Sequence, residues 1–119
     1  MGYPAEVVFV FGSNLAGRHG KGAAKHALDH WGAIYGQGEG PQGNAYAIPT
    51  KDAHLRTLPL LNIRLAFSRF TRYAQGRREL FLLTPIGTGL AGYPRGIIRS
   101  MVMEEGLPKN VALTGTWVC

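Results

Sequence analysis

The chain has 119 residues, 45% of them hydrophobic and 17% charged, a composition too apolar for a disordered segment and long enough for one domain with its own core. Thirteen Lys and Arg against seven Asp and Glu leave a net charge of +6, which favours anionic partners: nucleotides, nucleic acid or acidic protein surfaces. The lone cysteine, Cys119, has no intrachain disulfide partner, and the apolar runs are too short for a signal core or a membrane span, so the expectation is one cytoplasmic domain over residues 1–119 without membrane association.

Val7 to Phe11 is an unbroken run of β-branched and aromatic residues, the pattern of a strand buried on both faces, and Gly12 ends it. Glycines at 12, 17, 20 and 22 then make a loop whose backbone can approach another surface closely. A helix follows, because Ala23, Ala24, Ala27, Leu28 and Trp31 recur on one face. Strand, glycine loop and helix N-terminus together point unpaired N–H groups and the positive end of a helix dipole at one place, with Arg18 and Lys21 adding charge. Neither standard phosphate fingerprint is present: G-x-G-x-x-G breaks at Lys25, and Gly20-Lys21 is followed by Gly22 rather than Ser or Thr.

Gly32 to Gly43 has no helical or strand period and reads as a long flexible connection of the kind used for lids and binding loops. Tyr35 and Tyr46 flank it and offer aromatic faces to a base. Ala45 to Ile48 is a short strand, turned outward by Pro49 to Asp52. A second helix begins near Thr57 and Pro59 and stops at Gly76, with Leu60, Ile63, Ala66, Phe67, Phe70, Tyr73 and Ala74 on its core arc and Arg64, Arg69 and Arg72 outside it. No acid lies between Asp52 and Glu79, whereas Arg56, Arg64, Arg69, Arg72, Arg77 and Arg78 all do, a basic stripe that would suit nucleic acid. Glu79 to Thr84 reads as a third strand buried on both faces. Pro85 to Pro94 is a second glycine loop, opening a helix that carries Ile97, Ile98, Met101 and Val102 and ends at Gly106 and Pro108. Asn110 to Leu113 closes the chain as a strand. Alternating strands and helices give an α/β sheet covered on both faces, with ligands outside the carboxyl ends of its strands. Both glycine loops fall on that edge, where together they could grip a diphosphate.

Val10-Phe11-Gly12-Ser13-Asn14, Gly20-Lys21-Gly22-Ala23-Ala24 and Pro85-Ile86-Gly87-Thr88-Gly89-Leu90-Ala91-Gly92-Tyr93-Pro94 resemble the strand-to-Asn segment and the two phosphate loops of macro domains, the family that binds ADP-ribose. The Phe-Gly-Ser-Asn start and the Ala-Ile-Pro-Thr-Lys-Asp segment from Ala47 to Asp52 are closest to small macro-like proteins of phages and bacteria. The resemblance spans roughly Val7 to Met103. It implies a three-layer α/β/α domain with a mostly parallel or mixed sheet, binding ADP-ribose or an ADP-ribosylated macromolecule. Asn14 would bond the distal ribose, the Gly20 to Ala24 backbone would hold that ribose and the diphosphate, and Ile86 to Gly92 would close over the phosphates. The ligand-binding set is therefore Gly12, Ser13, Asn14, Gly20, Lys21, Gly22 and Ala23 with Ile86, Gly87, Thr88, Gly89, Leu90, Ala91, Gly92 and Tyr93. Hydrolysis of an ADP-ribosyl linkage or of ADP-ribose phosphate would use Asn14 to orient the ribose and His19 as the acid or base. No cofactor or metal is expected: His26 and His30 lie four apart but lack the H-E-x-x-H pattern. Larger macro domains have an upstream strand and an acid that accepts from the adenine amino group; here only six residues stand before Val7, and Glu6 is by position a poor substitute for that acid. The alternative is a non-enzymatic binder of RNA or another anionic nucleotide signal, using the same edge and the arginine stripe.

Overall fold

The computed structural model describes residues 6–117; Cys119 lies outside them. Five strands form one mixed sheet in the order β2-β3-β1-β4-β5. They are β1 Val7–Asn14, β2 Gly40–Gln42, β3 Ala45–Lys51, β4 Leu80–Leu83 and β5 Val111–Leu113, joined by helices α1 Gly22–His30, α2 Leu60–Ala74 and α3 Arg95–Glu105. The central β1 pairs in parallel with both β3 and β4, β5 runs parallel to β4, and only β2 is antiparallel, at the edge against β3. The carboxyl ends of β1, β3, β4 and β5 consequently share one rim.

Alternation along the strands divides the core in two. Val8 and Val10 of β1, Tyr46 and Ile48 of β3, and Phe81 and Leu83 of β4 meet α2 and α3 through Ile63, Ala66, Phe67, Phe70, Ile98, Met101 and Val102. The opposite face turns Phe11, Ala45 and Ala47 toward Ala24 and Ala27 of α1, with Phe9 and Trp31 packed at the border. Small residues on β3 let the short α1 sit close to the sheet. This is an α/β/α arrangement with unequal layers.

Four sequence expectations change. Strand β1 does not stop at Gly12 but continues to Asn14, because Gly12, Ser13 and Asn14 still pair with Ile48, Pro49 and Lys51. Strand β4 is buried on one face only: α1 packs over β1 and β3, leaving Leu80 42% exposed and Leu82 half-buried. Ala23 faces solvent rather than the α1 core arc. Gly32 to Gly43 is no loose connection, since it contains β2 and the rest of it forms a strap against the loop after β1. There Gly36 N–H donates to the Gly17 carbonyl at 2.8 Å.

Candidate functional site

At the top of β1 the polar side chains turn inward. The Ser13 hydroxyl donates to the Gly38 carbonyl, and Thr50 Oγ1 donates to the Ser13 carbonyl at 3.2 Å. Asn14 is buried and spends both ends of its amide on Arg18: Nδ2 donates to the Arg18 carbonyl at 3.0 Å, and Oδ1 accepts the Arg18 N–H at 2.9 Å. These bonds close residues 14–18 into a turn. Gly17 lies at φ +72°, and a Cβ there would overlap the main chain of Gly36 and Gln37; one at Gly38 would overlap the carbonyls of Asn14 and Leu15. Loop and strap thus meet backbone to backbone, a contact that only glycine permits.

His19 is completely buried beneath this loop. Its Nε2 lies 3.1 Å from the Gln37 carbonyl and 3.2 Å from Gln42 Oε1, and its ring packs edge-on to Phe11 and Tyr35. Both neighbours of Nε2 are acceptors, so Nε2 carries a proton. Nδ1 is buried with no partner among the described residues. Gln42 Oε1 also accepts from Ile34 N–H at 2.8 Å, and its Nε2 donates to the carbonyls of Gln37 and Gly40. The imidazole joins β1, loop and strap.

The loop after β4 is held by its own main chain. Ile86 N–H donates to Thr84 O at 2.7 Å, Tyr93 N–H to Gly87 O at 2.8 Å and Gly92 N–H to Gly89 O at 3.0 Å, while Thr88 Oγ1 donates to Pro85 O at 2.7 Å. It crosses toward β3: Thr57 Oγ1 donates to Ala91 O, and the Tyr93 hydroxyl to Leu58 O, both at 2.8 Å. The two glycine loops come together at their bases, where a Cβ on Gly12 would stand 3.4 Å from Gly87 N and 3.5 Å from Ile86.

Above that contact the rim is rich in donors. Among the described residues, the N–H groups of His19 to Ala24 in one loop, and of Gly87, Gly89, Leu90 and Ala91 in the other, make no hydrogen bond. Lys21 caps α1 and Pro94 caps α3, neither with a side-chain bond, and neither first turn contains an acid, so both positive helix ends are left uncompensated. Arg18, Gly20, Lys21, Gly22 and Ala23 are exposed, as are Gly89, Leu90 and Gly92. Asp52, on the same rim, turns its carboxylate onto the N–H groups of Arg56 and His54, which hold it below the usual carboxylate range.

Comparison with protein families, with curated proteins and with solved structures finds no match to this chain. Its site is therefore read from its own geometry. Gly12, Ser13, Asn14, His19, Gly20, Lys21, Gly22 and Ala23 gather at the end of β1, and Ile86 to Tyr93 at the adjacent end of β4. Ser13, Asn14, His19, Ile86 and Gly87 are buried, forming the floor rather than the open surface. Glu6 precedes β1 and so sits at the opposite edge of the sheet, beside Arg77, Arg78 and Glu79. Tyr46 is a core residue packed on Phe70 and Tyr73, and burial, aided by Glu39, pushes its phenol up to about 12. Tyr35 is 60% exposed.

The arginine stripe is partly neutralised in space. Arg69 makes a two-pronged pair with Glu39 on the strap, Arg64 reaches Glu104 and Glu105 on α3, and Arg77 pairs with Glu79 and lies over the Tyr73 ring. Sequence reasoning missed Gln37, Gln42 and Gly38, which shape the first loop. Their only signal is polar and glycine content in an aperiodic segment. No helix among the described residues is long and apolar enough to cross a membrane, and no group of three metal-binding side chains occurs among them.

Proposed function

We propose that this rim binds ADP-ribose or a related NAD-derived nucleotide, with the diphosphate between the two glycine loops. The observation that carries this reading is the meeting of Gly12, near the end of β1, with Ile86 and Gly87 in the loop after the adjacent parallel β4, beneath two sets of unbonded N–H groups and two uncompensated helix N-termini. Gly20, Lys21, Gly22 and Ala23 hold one side of the diphosphate, and Gly89, Leu90 and Ala91 the other. Asn14 acts through the loop it closes, because its amide is already committed to Arg18. His19 reaches a ligand only if the strap lifts, which favours a binder over a hydrolase using that imidazole. The RNA alternative draws less support, since Glu39, Glu79, Glu104 and Glu105 take up much of the arginine charge.

Calorimetry with ADP-ribose, AMP and a short RNA at two salt concentrations tests the reading. Selective binding of ADP-ribose is expected; a steep salt-dependent affinity for RNA, with no heat from ADP-ribose, would replace it with the alternative. Incubating the protein with an ADP-ribosylated protein, and with ADP-ribose phosphate, then asks whether bound ligand is turned over.

A further inference from the structure

Beside the first loop the strap presents two side chains that stand largely in the open. Tyr35 is 60% exposed and Ile34 52% exposed, and the Tyr35 hydroxyl makes no hydrogen bond among the described residues. The Tyr35 ring lies 6.3 Å, centroid to centroid, from His19, the residue that precedes the exposed Gly20 and Lys21. The strap holding this ring is fixed: Gly36 is bonded to Gly17, Ile34 N–H to Gln42, and Gly38 is packed on Asn14.

Apart from the Tyr35 hydroxyl and Gln37 Oε1, the polar side chains of the strap are engaged. Gln37 Nε2 donates to the carbonyls of Glu39 and Pro41, the Glu39 carboxylate is clasped by Arg69, and both ends of the Gln42 amide are occupied. Around Tyr35, then, an aromatic face is on offer while most of the strap's side-chain hydrogen-bonding groups that could read the edge of a base are engaged elsewhere. The acid nearest the start of β1, Glu6, stands at the far edge of the sheet.

We infer that Tyr35, flanked by Ile34, is the platform on which the base of the bound nucleotide stacks, so that this protein recognises the face of the base and discriminates weakly between its edges. The inference rests on the nucleotide-binding reading above and adds to it a determinant of specificity. Stacking on an aromatic ring is tolerant of base identity because every base has a π-face.

The test compares ADP-ribose, ADP, GDP and inorganic pyrophosphate on the wild-type chain and on Tyr35→Ala and Tyr35→Trp. Tyr35→Ala weakens ADP-ribose, ADP and GDP about tenfold, while pyrophosphate, which has no base, keeps its affinity. Tyr35→Trp retains nucleotide binding, and the wild type holds ADP and GDP with similar affinity. Unchanged ADP-ribose binding in Tyr35→Ala, equal loss of pyrophosphate, or strong preference for adenine over guanine would overturn the platform while leaving the diphosphate site standing. A folded wild type that binds none of the four removes both readings together.

Discussion

Buried side chains pin the loop after β1 to its strap, whereas the turn after β4 closes chiefly on its own main chain. In the first, Ser13, Asn14 and His19 all turn inward to carbonyls of the loop and strap. In the second, Ile86, Gly92 and Tyr93 bond within the turn itself, and Thr57 and Leu58 tether it from outside. The residues that look most chemical in the first loop are therefore structural, and the surface that both loops leave to a ligand is peptide N–H. Glycine serves two purposes on this rim. At 17 and 38 it allows two backbones to touch; at 20 and 89 a Cβ would meet nothing within 4 Å.

The sharpest break of that comparison is Gly17→Ala. A left-handed φ and overlap with Gly36 and Gln37 together cost about 3 kcal/mol or more, read as a lowered urea midpoint, while Gly89→Ala leaves the midpoint within about 0.5 kcal/mol. Equal behaviour of the two would erase the distinction between packing and open glycines. Asn14→Ala comes next. Losing both bonds to Arg18 costs about 2 kcal/mol and loosens residues 14–18, seen as faster amide exchange there; a variant of unaltered stability would argue that Asn14 is kept for ligand contact instead. Arg69→Ala, which removes a partly exposed pair with Glu39, costs under about 1 kcal/mol, and a larger loss would mean that the strap depends on α2 more than on the His19 and Gln42 network.

The smallest effect concerns Asp52. Its folded pKa is lowered by the N–H groups of Arg56 and His54, so the stability it contributes is complete above the unfolded carboxylate value near about 4 and is lost as pH falls through its lower folded value. Asp52→Ala therefore flattens the acid limb of a stability profile below that pH and weakens the protein above it.

Long periodic segments were the most legible in the sequence. Helix α2 carries its core arc at Ile63, Ala66, Phe67 and Phe70 as the spacing predicts, and both glycine loops sit on the expected edge. Strand β2 was hidden because Gly40, Pro41 and Gln42 have no strand character of their own; pairing with β3 at an edge makes them one, where proline is tolerated. The burial of His19 was equally unreadable. Its partners lie 18 and 23 residues further along, in a segment without pattern. Linear order also exaggerated the arginine stripe, since Glu39, Glu104 and Glu105 arrive from other elements. The two-sided burial expected of β4 failed for a different reason: an apolar run reports hydrophobicity, not whether a helix is there to cover it.

The central claim is that one ligand is held by both loops at once, and a negative charge introduced at either of two open glycines tests it most directly. Gly20 and Gly89 are exposed, on separate loops, with room for a side chain. Titrating ADP-ribose into Gly20→Glu and Gly89→Glu should show binding lost in each, with thermal unfolding unchanged from the wild type. Wild-type affinity in either variant would contradict the account.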